Sequence, residues 1–204
     1  MTASIARSEL ILGGQKSGKS RRAELLARDW LARSADHRAV LIATGQPWDD
    51  EMRERIARHQ RDRAERVPGL ATLEEPCDLA AVLQRESTPH TLLVVDCLTL
   101  WLTNWTMPAG LESMDFEQNK ALAHNWQAQE AMFLIALEQA PGPVVVVGNE
   151  IGLGVIPLGR EVRAFVDALG QLNQQVAQVC QRVTLMAAGL PLTLKAPTLK
   201  EHAP

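Results

Sequence analysis

Residues 10–30 read LILGGQKSGKSRRAELLARDW: apolar residues tighten into glycines and then run into a helical pattern. Gly13 through Ser20, GGQKSGKS, fits G-x-x-x-x-G-K-[ST], with Leu10–Leu12 as a strand end before it and Arg21–Arg33 as a helix after it. Glycines let such a turn pass so close to a ligand that successive backbone N–H groups point at phosphate oxygens, and the first turn of the helix adds its positive dipole end. Gly13, Gly14, Gln15, Lys16, Ser17 and Gly18 form that cradle. Lys19 is expected to reach the β- and γ-phosphates and the Ser20 hydroxyl to ligate Mg²⁺. The bland alternative is a chance glycine turn before a helix, against which stands the full motif in its strand–loop–helix setting. The stretch specifies a nucleoside triphosphate and leaves the reaction open.

Beyond it, short apolar runs alternate with helical periodicity: AVLIATG at 39–45, TLLVVDCL at 91–98, PVVVVGNE at 143–150 and RVTLMAAGLPLTLK at 182–195. The runs at 91–98 and 143–150 are almost continuous valine and leucine, the composition of strands covered on both faces. Val162, Phe165, Val166, Leu169, Leu172, Val176, Val179 and Cys180 step by three and four, which predicts a helix over about 160–181 packed on the sheet. A second long helix is predicted over 113–140, stopped by the PGP at 141–143. The expectation is an α/β fold: one P-loop NTPase domain over residues 1–204, RecA-like, with a mostly parallel sheet and helices on both faces.

The 204 residues suffice for one such domain and its core. Hydrophobic residues make up 46% and charged residues 22%, ordinary for a globular protein. A net charge of −3 argues against a general nucleic-acid or membrane-surface binder, so any positive site is local. Cys77, Cys97 and Cys180 are widely spaced in apolar surroundings and match no metal-ligand or redox pattern. No apolar run approaches the ~18 residues of a membrane span, and the opening MTASIARSE lacks a signal-like core. A cytoplasmic protein with reduced thiols is expected.

Three further tracts carry chemistry. Asp96 ends the third apolar run, where a P-loop fold needs a carboxylate for Mg²⁺; the same residue type also caps helices. In DDEMRERIARHQRDRAER, residues 49–66, Glu51–Arg55, Glu54–Arg58 and Asp62–Arg66 stand at i,i+4 with the acid first, as on a solvated helix laced with ion pairs. His59 fits that account less well, because it shares a face with Met52, Arg55, Ile56 and Arg63. Flanking cations favour a neutral imidazole and attract a triphosphate, so His59 could attack a phosphorus and become a phosphoramidate. In GNEIGLGVIP, 148–157, glycines and Glu150 lie past the carboxyl end of a strand, either as a ligand crevice or as a plain connection.

Taken in order, GGQKSGKS, ATG, DDEMRERIARH, LEEPCDL, VVDCLTLWLTN, GNEIGLGVIP, ALGQLNQQVA and AGLPLTLK resemble the bifunctional adenosylcobinamide kinase/adenosylcobinamide-phosphate guanylyltransferase family of cobalamin synthesis. That resemblance covers nearly the whole chain. It implies two reactions: ATP or GTP phosphorylates the hydroxyl of the aminopropanol arm of adenosylcobinamide, and GTP then guanylylates a histidine, whose GMP passes to the new phosphate. The family's nucleophilic histidine falls on His59, its phosphate loop on Gly13–Ser20. Ala43, Thr44 and Gly45, together with Gln60, Arg61, Asp62, Arg63, Glu74 and Asp96, match its tracts around the guanine nucleotide. A homo-oligomer, a trimer among the possibilities, is also implied. Leu70 stands where the family usually has tryptophan, the span from His59 to Thr72 is slightly long, and Gly148 replaces a small hydroxyl residue. Two rivals are a simple P-loop small-molecule kinase without a covalent nucleotide, and a RecA-like module driven by a macromolecular partner.

Overall fold

A computed structural model describes residues 5–47, 49–107 and 116–197. Along the chain run β1 (Ser8–Gly13), α1 (Lys19–Leu31), β2 (Arg38–Ala43), α2 (Asp50–Arg66), β3 (Leu70–Glu74), α3 (Leu79–Glu86), β4 (Thr91–Asp96), α4 (Leu98–Thr106), α5 (Phe116–Gln139), β5 (Val144–Val147), α6 (Arg160–Val179), β6 (Arg182–Ala187) and β7 (Leu190–Lys195). The strands form one seven-stranded sheet in the order β3-β2-β4-β5-β1-β6-β7, parallel except for the antiparallel β7. The expected α/β architecture is present.

Strand side chains alternate between two layers, as the two-residue period requires. Leu10, Leu12, Val40, Ile42, Leu93, Val95, Val144 and Val146 pack against residues of α3, α4, α5 and α6. Ile11, Ala39, Leu41, Leu92, Val94, Val145 and Val147 face the other way, onto Ala23, Leu26 and Ala27 of α1. Being covered on both sides accounts for the unbroken apolar runs of β4 and β5. Trp101 is fully buried against Trp126 and Phe133, and both Trp101 and Trp105 donate their indole N–H to the Cys77 carbonyl, at 2.7 and 3.2 Å. This is packing with a polar handle satisfied.

Three sequence readings change. The run at 182–195 is two strands joined at Ala188–Gly189, both with positive φ (50° and 79°), the backbone of a tight hairpin. LATLE at 70–74 is an edge strand beside β2 that periodicity did not reveal. The phosphate-loop helix starts two residues early, at Lys19, with Gly18 as its left-handed N-cap. Residues 113–115 of the expected 113–140 helix lie outside the described residues; α5 covers Phe116–Gln139.

Candidate nucleotide site

The residues singled out in the sequence converge on the carboxyl edge of the sheet. Glu74 pairs with Ala43, Ala43 with Asp96, Asp96 with Val147 and Val147 with Ile11, so β3, β2, β4, β5 and β1 end side by side. This is where parallel α/β sheets place ligands. The order also inserts β5 between the Gly13 strand and the Asp96 strand. Two strand spacings separate those strands, about 10 Å.

The glycine loop is lashed on both flanks. The Glu150 amide donates to the Gly13 carbonyl at 3.1 Å, and the Gly189 amide of the β6–β7 turn donates to the Ser17 carbonyl at 3.0 Å. Gly13 has φ 152°, and a Cβ there would lie 2.5 Å from the Met186 carbonyl oxygen and 2.6 Å from Ser17 Oγ. Only glycine fits that close approach. Ser17 Oγ is buried without a hydrogen-bond partner, while Gly14, Gln15 and Lys16 are exposed and Ser20 is half-buried. Lys19 is 8% exposed and folds back so that Nζ donates to the Gly14 carbonyl at 2.7 Å. Burial pushes its ammonium below the ordinary lysine range, opposed by Cys97 and Asp96. The cation thus stands in the field of Asp96 despite the intervening strand.

The β2 end is fixed by α4. Thr44 is fully buried; its Oγ1 donates to the Cys97 carbonyl at 2.7 Å and accepts from the Cys97 amide at 2.8 Å, while its own amide donates to the Asp96 carbonyl at 3.1 Å. Buried Asn104 donates to the carbonyls of Thr44 and Pro76 at 2.8 and 2.9 Å. Asn104 is thus the peg joining two loops of the site. Thr99 pins a third loop in the same way, since its Oγ1 accepts from both the amide and Nδ2 of Asn149, at 3.1 and 3.0 Å. The Glu150 carboxylate accepts the Gly152 amide at 2.8 Å, a local cap on its own loop.

Helix α2 is N-capped by Asp49, whose side chain accepts the Met52 amide at 2.7 Å. It approaches the site through one face. A Cβ at Gly45 would lie 4.0 Å from Ile56 Cδ1; Gln60 Nε2 donates to Glu74 Oε1 at 3.4 Å; Arg63 Nη1 donates to Thr72 Oγ1 at 3.2 Å. His59 stands exposed one turn before Arg63 on that face. Arg61 is exposed on the opposite side of the helix, away from His59 and Arg63. Asp62 pairs with Arg66 at 3.7 Å, as the i,i+4 spacing predicts. The side chain of Arg55 lies outside the described ones.

One participant was absent from the sequence reading. Glu24 of α1 is 3% exposed, with Oε2 3.0 Å from Arg66 Nη1 and Oε1 3.9 Å from Arg63 Nε. Burial pushes its carboxyl above the usual carboxylate range, while Arg66 and Arg63 pull it back. Among the described residues no group of three or more histidine, cysteine or acidic side chains could hold a metal by itself, and no helix is long and apolar enough to cross a membrane.

A phosphate loop at the tip of β1, a buried lysine beside it, and a carboxylate at the end of β4, two strands away, define a P-loop α/β nucleotide-binding protein. The particular family follows from comparison with known proteins. A family model for cobinamide kinase / cobinamide phosphate guanyltransferase matches residues 9–194, and the chain belongs to that family. It is 45% identical over 191 residues to the bifunctional adenosylcobalamin biosynthesis protein CobP of Pseudomonas aeruginosa, covering 94% of this chain and 99% of that one. It is 32% identical over 187 residues to the protein named CobU in Escherichia coli, covering 91% and 98%. CobU of Salmonella typhimurium matches at 32% over 187 residues, with the same coverage.

Proposed function

We propose that one domain of this chain carries both reactions of its family in the cytoplasm, using a single row of strand ends. In the first, ATP or GTP donates its γ-phosphoryl group to the hydroxyl of adenosylcobinamide. In the second, a ring nitrogen of His59 attacks the α-phosphorus of GTP: the P–N bond forms as the bond to the pyrophosphate oxygen breaks. The phosphate of adenosylcobinamide phosphate then attacks the same phosphorus, releasing His59 and giving adenosylcobinamide-GDP.

The observation that carries this reading is the convergence of two elements far apart in sequence. The glycine loop ends β1, and the His59 helix is tied to the end of β3 through Gln60–Glu74 and Arg63–Thr72. Loop amides from Gly13 to Ser20 and the Lys19 ammonium neutralise the triphosphate so that a nucleophile can approach. Ala43, Thr44, Gly45 and Glu74 form the floor beside the nucleotide; Gln60 and Arg63 face it from α2. Arg61 and Asp62, carried over from the family's tract, contribute through the helix rather than through inward side chains.

The Ser20 hydroxyl and Asp96 carboxylate are hard oxygen donors, the kind that suits Mg²⁺, which takes few protein ligands and leaves its remaining positions to phosphate oxygens and water. When bound, Mg²⁺ would supply charge neutralisation on the phosphates. The protein's own part is to present these two oxygens beside Lys19. The chain works as a homo-oligomer, a trimer being among the forms that the family resemblance implies. In support, Leu153, Val155, Ile156 and Leu158 are 77–98% exposed in one run.

The test is incubation with Mg²⁺ and α-labelled GTP, followed by denaturation. Acid-labile, base-stable label on the chain, absent in His59→Ala, is the expected result. Full nucleotidyl transfer by His59→Ala would sink the assignment and leave a simple P-loop kinase.

A further inference from the structure

The phosphate-loop helix and the His59 helix touch through charge more than through apolar packing. In α2, Arg63 is the one described side chain that is buried; Met52, Ile56 and Ala57 are half-covered, and Val67 anchors the C-cap. A helix with so thin an apolar seam is oriented by its specific polar contacts. The most deeply buried partner among them is Glu24, on α1 one turn after Ser20, which meets Arg66 at 3.0 Å and Arg63 at 3.9 Å as ion pairs, since neither Glu24 Oε2 nor Arg63 Nε has a hydrogen-bond partner. Arg63 is itself 8% exposed, so its charge has little water to fall back on. It also stands one turn from His59 on the same face of α2.

We infer that Glu24 is a positioning residue for histidine guanylylation: the buried carboxylate on the phosphate-loop helix grips Arg63 and Arg66 and so fixes where His59 stands relative to the nucleotide. This rests on the two-reaction reading above. The kinase step needs the loop and Lys19, which lie at the start of the Glu24 helix, and so depends far less on where α2 docks. The histidine step needs two helices in register. A misplacement of about 1 Å can cost on the order of 10²-fold in rate, and loss of the carboxylate leaves two guanidinium groups, one of them buried, without the partner that holds α2.

Two rates are measured on each variant: formation of the GMP–histidine adduct from α-labelled GTP, and phosphorylation of cobinamide. Glu24→Gln should lose about 100-fold in adduct formation while kinase turnover stays within about 3-fold. Arg66→Gln, on a side chain 37% exposed, should give the same split from the other helix and keeps the test should Glu24→Gln fail to fold. The double variant should be no worse than Glu24→Gln alone, because that variant already removes the Glu24–Arg66 contact. Leu169→Ala, in the core of α6, supplies the purely structural pattern in which both rates fall together. A Glu24→Gln protein that labels at the wild-type rate, or that loses both activities in parallel as Leu169→Ala does, overturns the positioning role. A wild-type chain that takes no label refutes the two-reaction reading instead.

Discussion

Gly148 follows β5 against Asn173 of α6, and a Cβ placed there would lie 2.9 Å from Asn173 Oδ1 and 3.0 Å from Leu12 Cδ2. Its φ lies outside the left-handed region, so the backbone accepts any residue. Buried Asn173 uses Nδ2 to donate to the Asn149 carbonyl at 3.0 Å, while Oδ1 has no partner. Gly148→Ala presses a methyl group on this oxygen and on a leucine methyl, an overpacking that costs about 1–3 kcal/mol. Gly148→Ser adds the same carbon and a hydroxyl that donates to Oδ1, returning about 1 kcal/mol. The larger residue is therefore the less harmful, by roughly 2–4 °C in Tm for a chain of this size. Urea and thermal melts of the two variants measure the gap, and placing Asn173→Ala in both backgrounds should close it. Alanine as stable as serine, or a gap that survives Asn173→Ala, would refute the reasoning. A hydroxyl on this orphaned acceptor also gives a physical reason for the small hydroxyl residue that the family resemblance places at this position.

Lys19→Met keeps the length of a buried side chain and removes its charge, so both reactions should lose roughly 10²–10³-fold in kcat with little change in Tm; retained turnover would remove Lys19 from the chemistry. Glu9 is buried on β1 between Arg22 at 2.9 Å, Arg182 at 3.4 Å and Thr184 Oγ1 at 2.8 Å, and Glu9→Gln should cost about 3 kcal/mol, seen as a Tm lower by roughly 6–12 °C. Burial pushes the Cys97 thiol from 9.0 up to about 11 and the Cys180 thiol up to about 12. The folded chain therefore holds these protons after the unfolded chain has lost them, and stability to urea should be intact below about pH 9 and fall as pH rises towards 12. Cys180→Ala should flatten the upper part of that fall, and native protein at pH 8 should resist alkylation at both thiols.

What the sequence disclosed follows from which forces are local. The loop at Gly13–Ser20 was legible because a phosphate cradle needs particular residues at fixed spacing, and β4 and β5 because burial on both faces demands unbroken apolar runs. LATLE at 70–74 gave no such signal: it is an edge strand whose side chains are half-covered at most. The turn splitting 182–195 is Ala188–Gly189, without the Asn-Gly or Asp-Gly dipeptide that marks a two-residue hairpin. Asn104 and Glu24 were hidden for a different reason. A polar residue on an amphipathic helix has the same sequence signature whether it meets water or a buried partner, and the partners of Asn104 and Glu24 lie on other elements.

The charge-rich helix α2 shows how far that ambiguity reaches. Its i,i+4 pattern reads as a solvated surface, and Asp62–Arg66 agrees, with the carboxylate at 3.7 Å and the Asp62 carbonyl accepting from Nε at 2.9 Å, yet Arg66 Nη1 also reaches Glu24 at 3.0 Å. An exposed pair is worth a few tenths of a kcal/mol to about one and breaking a fully buried one costs several; with Glu24 buried and Arg66 37% exposed, this contact lies between the two. The same guanidinium thus supports the helix locally and sets its docking. On the proposed roles this matters because β3, to which α2 is tied, lies four strands from β1 in the sheet order, about 19 Å away. On those roles, attack at the γ-phosphorus uses the loop end of that row, and attack at the α-phosphorus would need His59 brought in from the other end. A helix held by polar contacts rather than by a deep apolar seam can be fixed in direction by the phosphate-loop helix itself, which on the proposed roles would give one nucleotide pocket a second nucleophile.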